Sequence, residues 1–190
     1  LVAAPSLRDP NFRESGVLLI DHRYEGSLGF VVNRPAKVSF RGVIEELQLM
    51  PEGEPPDVPV MVGGPVAPHT GWIVFDPTRS EISTDNTIEV TEDIRVSASK
   101  ELLRDLAATE DTEGHLLVLG YAGWGTGQLD QEIREGSWIP VDLDARVVFD
   151  ADYNDRWKLA LRACSSGADP IQIENEPAGR VGPRGTKERR

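Results

Sequence analysis

The chain has 190 residues, 39% of them apolar, and a formal net charge of −12. That is long and apolar enough for one substantial core, and one domain is the default. No apolar run is long enough to span a bilayer, and the single cysteine, Cys164, excludes an internal disulfide and fits a reducing compartment.

Leu1 to Ala4 is expected to be an opening strand and not a signal peptide, since no basic flank precedes it. Pro5 to Ser15 reads as a loop, with Asp9-Pro10 favouring a turn. Val17 to Ile20 and Leu28 to Asn33 are apolar runs around Tyr24-Glu25-Gly26-Ser27, which predicts a hairpin ended by Pro35. Phe40 to Leu49 carries Val43, Ile44 and Leu47 at helical spacing. Pro51 to Pro59 is a Pro- and Glu-rich loop. Val60 to Val62 and Gly71 to Asp76 read as strands, with Gly63-Gly64-Pro65 after the first. Ile88 to Val90 and Ile94 to Val96 alternate as half-exposed strands. Ser99 is placed to cap a helix over Lys100 to Ala108, whose apolar stripe is Leu102, Leu103 and Leu106.

The chain is organised around Leu116 to Trp138. Leu116 to Leu119 predicts a buried strand. Gly120, Gly123, Gly125 and Gly127 predict a tight turn with Tyr121 and Trp124 packed over it. Thr126 is the expected cap of the next helix. In that helix Leu129 and Ile133 share one face, and Gln128 and Glu132 another. Gly136 stops it. The glycines do not follow G-x-G-x-x-G, and no Walker lysine or elbow serine accompanies them, so a phosphate loop and a nucleophile elbow are both disfavoured. Val147 to Phe149 reads as a strand, and Tyr153 to Ala163 as a helix with Trp157 and Leu161 one turn apart. From Glu174 onward Pro, Gly and charge predict a disordered tail. The expected division is a domain over 1–173 and a basic tail over 174–190. Strands and helices mix without strict alternation, which makes the fold class α+β.

His22, His69 and His115 lie far apart in sequence, and Cys164 has no C-x-x-C partner, so neither a metal nor a cofactor is expected. Arg180 to Arg190 holds five cations and one anion, which leaves the body before it at −16 (−12 less the tail's +4). Such a body repels phosphate backbones, so direct nucleic-acid binding through it is disfavoured. Ser15, His22 and Asp9 can be assembled on paper into a nucleophile, base and orienter, which geometry must decide.

Pro5 to Ser15 (PSLRDPNFRES), His22 and Gly29 to Pro35 (GFVVNRP) together resemble the opening of the AlgH/YqgE family of bacterial proteins. Val62 to Val66 (VGGPV) with Gly71 to Phe75 (GWIVF) resembles its middle motif. Leu119 to Ile133 (LGYAGWGTGQLDQEI) with Trp138 resembles its most specific motif, and Phe149 to Trp157 its closing one. The resemblance spans nearly all of Leu1 to Ile173 in order. It implies a single α+β domain in which a bent, bifurcated mixed sheet closes into a pseudo-barrel with helices packed around it. It also implies a cytoplasmic bacterial protein of a kind often labelled a transcriptional regulator. Phe75 departs from the pattern, which commonly has a histidine there.

Within those motifs Asp9, Ser15, His22, Asn33, Gln128 and Glu132 are polar. Packing is served by apolar residues, so these six are the candidates for a pocket or a hydrogen-bonded network. The function they imply is a non-enzymatic regulatory or binding protein acting through a protein or small-ligand contact. The alternative is a hydrolase-like enzyme using His22 with Asp9 or Glu132 as acid–base groups.

Overall fold

The computed structural model describes residues 1–166 apart from 81, 83, 84, 111 and 143. The expected tail over 174–190 lies outside the described residues. The strands are β1 (Val2–Ala3), β2 (Val17–Arg23), β3 (Gly26–Val31), β4 (Val60–Val62), β5 (Val66–Phe75), β6 (Ile88–Thr91), β7 (Ile94–Ser97), β8 (His115–Trp124) and β9 (Trp138–Ile139). The helices are α1 (Phe40–Glu46), α2 (Lys100–Ala108), α3 (Gln128–Arg134), α4 (Ala145–Phe149) and α5 (Tyr153–Ser166).

β8 is the hub of a seven-stranded sheet ordered β2-β3-β8-β5-β7-β6, with β4 also on β8. Its first part pairs antiparallel with β5, from Phe75 against His115 to Gly71 against Leu119, and parallel with β4. Its last part pairs with β3, from Gly29 against Ala122 to Ser27 against Trp124. The sheet therefore forks along one strand. The fork is then drawn together: Val31 N donates to Gly63 O at 2.8 Å, and Val62 N to Arg34 O at 2.8 Å. The result is a single α+β domain around a nearly closed barrel.

The glycines of β8 do not form the tight turn expected of them. The strand runs through Gly120 and Gly123 to Trp124. Gly120 has φ +70°, and a Cβ there would meet Gly64 O at 2.7 Å and Val66 O at 2.9 Å. Gly120 lets two backbones touch where a side chain would not fit.

Residues from six strands fill the barrel, among them Phe30, Met61, Val74, Val96 and Val118. On the outer face Phe40 and Ile44 of α1 and Leu103 and Leu106 of α2 pack with Phe75 and Leu117. Ser99 caps α2 as expected, its hydroxyl accepting from Leu102 N at 3.3 Å. α1 stops three residues short of the expected Leu49, because Gln48 turns left-handed with φ +58°.

Val147 to Phe149, expected as a strand, is helical. Asp144 accepts from Arg146 N at 3.0 Å and so caps a single turn. The end of that turn is held by Arg79, which grips both Asp150 oxygens and also approaches Asp76 at 3.3 Å. The Arg79 hydrogen bond holds the Asp150 carboxyl below its ordinary range. A depressed carboxylate stabilises the fold above its unfolded pKa near 4 and loses that contribution as pH falls through its lower folded value. Asp150→Asn should therefore cost stability at pH 7 and nothing once the medium is acid enough to protonate the native carboxyl. Urea midpoints at both pH values check this. The difference should be small, since both partners are partly exposed and screened by solvent.

Candidate functional site

Glu132 sits at the centre of one polar group. Leu129 faces the core and places Glu132 and Gln128, one turn apart, beside the loop that leads into α3. Glu132 Oε2 accepts from Trp124 Nε1 at 2.9 Å and from Trp138 Nε1 at 2.8 Å. Its Oε1 accepts from Gln128 Nε2 at 2.8 Å, and Gln128 Oε1 accepts from Gly125 N at 2.9 Å. Thr126, the expected cap, instead donates to Glu25 O at 3.2 Å, and Gly127 with φ +65° takes the cap position.

Asn33 anchors a second group. Its Oδ1 accepts from Gly16 N and its Nδ2 donates to Glu14 O, both at 2.9 Å. Those bonds hold Glu14 in the left-handed region at φ +53°. Ser15, between them, is fully buried, and its hydroxyl donates to Phe12 O at 2.6 Å. Asp9 is exposed and accepts from Asn11 N at 2.8 Å. Together these contacts shape the loop that lays Phe12 on Trp124 and Trp138, with centroid distances of 6.3 and 5.6 Å.

His22 belongs to neither group. Its Nδ1 meets Ser27 Oγ at 2.7 Å, and its Nε2 lies 3.4 Å from Asp130 Oδ1. Its partners are thus Ser27 and Asp130, with Asp9 and Glu132 engaged elsewhere. A broad depression of about 520 Å³ lies nearby and reaches Ser27. Alternation along β2 and β3 turns His22 and Ser27 toward α3, and Asp21, Arg23 and Leu28 toward that depression. Phe75 is buried and stacks on His115 with ring centroids 6.2 Å apart.

A separate cavity of about 370 Å³ lies between α5 and the β1–β2 side of the barrel. Arg156, Leu159, Ala160 and Ala163 line it from one stripe of α5, and Leu18, Val32 and Val148 line it from the barrel and α4. α5 is fixed to β1 by Trp157 Nε1, which donates to Ala3 O at 2.9 Å. Arg156 is only 4% exposed. Its Nε donates to Ala151 O at 3.1 Å, and its Nη1 donates to Val32 O. Burial pushes the guanidinium pKa down, with the Asp152 charge acting against that. Sequence reading missed this site. The available signal was the spacing of Arg156, Leu159, Ala160 and Ala163, which puts a cation on an apolar stripe.

Among the described residues no group of three His, Cys, Asp or Glu side chains could hold a metal ion. No described helix is long and apolar enough to cross a membrane.

The model of the AlgH-like family matches residues 1–168. The chain belongs to the AlgH-like family. Its relatives include a UPF0301 protein of Anaeromyxobacter dehalogenans, 42% identical, with 90% of this chain and 87% of that protein covered. A UPF0301 protein of Paracoccus denitrificans is 36% identical, with 91% and 90% covered. The solution structure of the AlgH protein of Pseudomonas aeruginosa superposes with a TM-score of 0.70 at 30% identity, over 95% of this chain and 93% of that one. A crystal structure of a Corynebacterium diphtheriae protein shares the fold, with a TM-score of 0.64 at 24% identity over 81% of each chain. This AlgH-like chain therefore shares its fold with the solved AlgH protein, and the cavity under α5 is built from elements inside the matched region.

Proposed function

We propose that this AlgH-like protein is a cytoplasmic, non-enzymatic regulatory protein that works by binding a small, largely apolar ligand under α5. The cavity carries this reading. It is concave and mostly apolar, with a few charged side chains, Arg156, Asp142 and Asp144, on its lining, the combination that small-ligand sites use. The six polar motif residues fit a supporting role, since each is engaged by neighbouring backbone or side chains that hold α3 and the Phe12 loop. Regulation would pass through a protein partner, because the acidic body disfavours contact with phosphate backbones.

1-Octanol, a neutral apolar probe, should raise the melting temperature. At a hundredfold excess over Kd the gain is about 2.7 kcal/mol, or roughly 5–10 °C for a chain of this size. Ala160→Phe, which fills the cavity from α5, should abolish the rise. A rise that persists in Ala160→Phe would place the ligand elsewhere.

The enzyme reading is favoured by one observation, the His22 ring held between Ser27 and Asp130. Ester hydrolysis that vanishes in His22→Ala at unchanged melting temperature would establish it.

A further inference from the structure

We infer that the cavity under α5 takes an amphipathic monocarboxylate, with Arg156 as its counter-ion; the inference rests on the cavity being a ligand site. Arg156 carries five N–H donors in a rigid fork. Its assigned bonds go to two neutral carbonyls, those of Ala151 and Val32. Among the described residues its Nη2 makes no hydrogen bond and no carboxylate lies within ion-pair distance of it. Arg156, a residue only 4% exposed, is thus compensated by backbone dipoles and the more distant Asp152. Buried charges are ordinarily paired, and the planar fork matches the two oxygens of a carboxylate.

The rest of the cavity selects the ligand's other end. From Arg156 the apolar stripe continues through Leu159 and Ala160 to Ala163, a span of about 10 Å along the helix. That is close to the extended length of an octanoyl chain. Leu159, a large apolar side chain, is 38% exposed beside this space. The acidic groups on the lining are Asp142 and Asp144. Asp144 is neutralised by Arg146, at 3.0 Å from Nε and 2.8 Å from Nη2. Asp142 adds negative charge to the lining and disfavours a second negative charge on the ligand. A phosphate ester or dicarboxylate is therefore selected against, and a single carboxylate on an alkyl tail is selected for.

The test is calorimetric titration of the 190-residue chain at pH 7 with octanoate and with octanamide, which has the same shape and no charge. Octanoate should bind about ten- to a hundredfold more tightly, the value of a charge-assisted bond. Arg156→Gln should reduce octanoate to the level of the amide and leave the amide unchanged. If that variant does not fold, the comparison of the two ligands on the native chain decides alone. Equal affinities for octanoate and octanamide would overturn the carboxylate assignment while leaving the cavity as a ligand site. Binding of neither at millimolar concentration would overturn both. Octanoate binding that survives Ala160→Phe would overturn the placement.

Discussion

Glu132→Ala should destabilise the protein by about 3–5 kcal/mol, a large fraction of the stability of an ordinary domain. The carboxylate is the acceptor for two indole N–H groups and one amide. Trp124 and Trp138 are 6% and 2% exposed, so their donors have little access to water. Each buried donor left without an acceptor costs about 1–3 kcal/mol. Losing Gln128's partner also frees the side chain that accepts from Gly125 N and steadies the entry to α3. Glu132→Gln keeps the shape and one acceptor oxygen but turns an N–H₂ group toward donors, so about half the loss should remain. Thermal and urea unfolding measure both, and near-ultraviolet dichroism reports whether the tryptophan cluster has loosened. If alanine costs less than about 1 kcal/mol, water replaces the carboxylate and the network has no structural weight.

The second large effect is expected at Gly120. An alanine there would hold a non-glycine residue at φ +70° and push its Cβ to within 2.7 Å of Gly64 O. The left-handed conformation alone costs roughly 1–2 kcal/mol. The clash is with backbone where β4 passes into β5, at Gly64 and Val66, which cannot yield without parting the fork. A total above about 3 kcal/mol, or failure to fold, follows. Gly136→Ala separates the two terms. Its φ is +76°, but nothing lies within 4 Å of the added Cβ. It should lose only about 1 kcal/mol. Similar losses at both positions would mean that strand contact adds nothing to the strain.

The same residues show where sequence reading succeeds and where it stops. Helix α2 was legible because Leu102, Leu103 and Leu106 repeat at helical period behind a capping serine, and all three are buried. The β2–β3 hairpin was legible from two apolar runs around a glycine turn. Those signals are local. The glycines of β8 look identical to turn glycines in sequence. The role of Gly120, close approach to Gly63 and Gly64, exists only once segments distant in sequence have paired. Val147 to Phe149 failed for a related reason: two β-branched residues and an aromatic suit a strand, but the Asp144 cap and the Arg79 clamp settle it as a helix. The six polar positions could be picked out, but their partners could not. His22 meets Asp130 because the hairpin packs against α3, and no spacing in the chain records that. The α5 cavity was hidden because its opposite wall comes from strands over a hundred residues earlier.

One pairing in this fold has a consequence for biosynthesis. β1 has β9 as its strand partner, Val2 against Ile139 and Ala3 against Trp138, and the indole of Trp157 closes on Ala3 from α5. On a ribosome, the earliest of these residues to emerge wait for almost the last. At roughly 5–20 residues per second, that interval is on the order of ten seconds. During it, Val2, Val17 and the apolar face of the first hairpin lack their native cover. Nascent chains of this fold should therefore be held by a chaperone, or remain protease-sensitive, until α5 has left the exit tunnel.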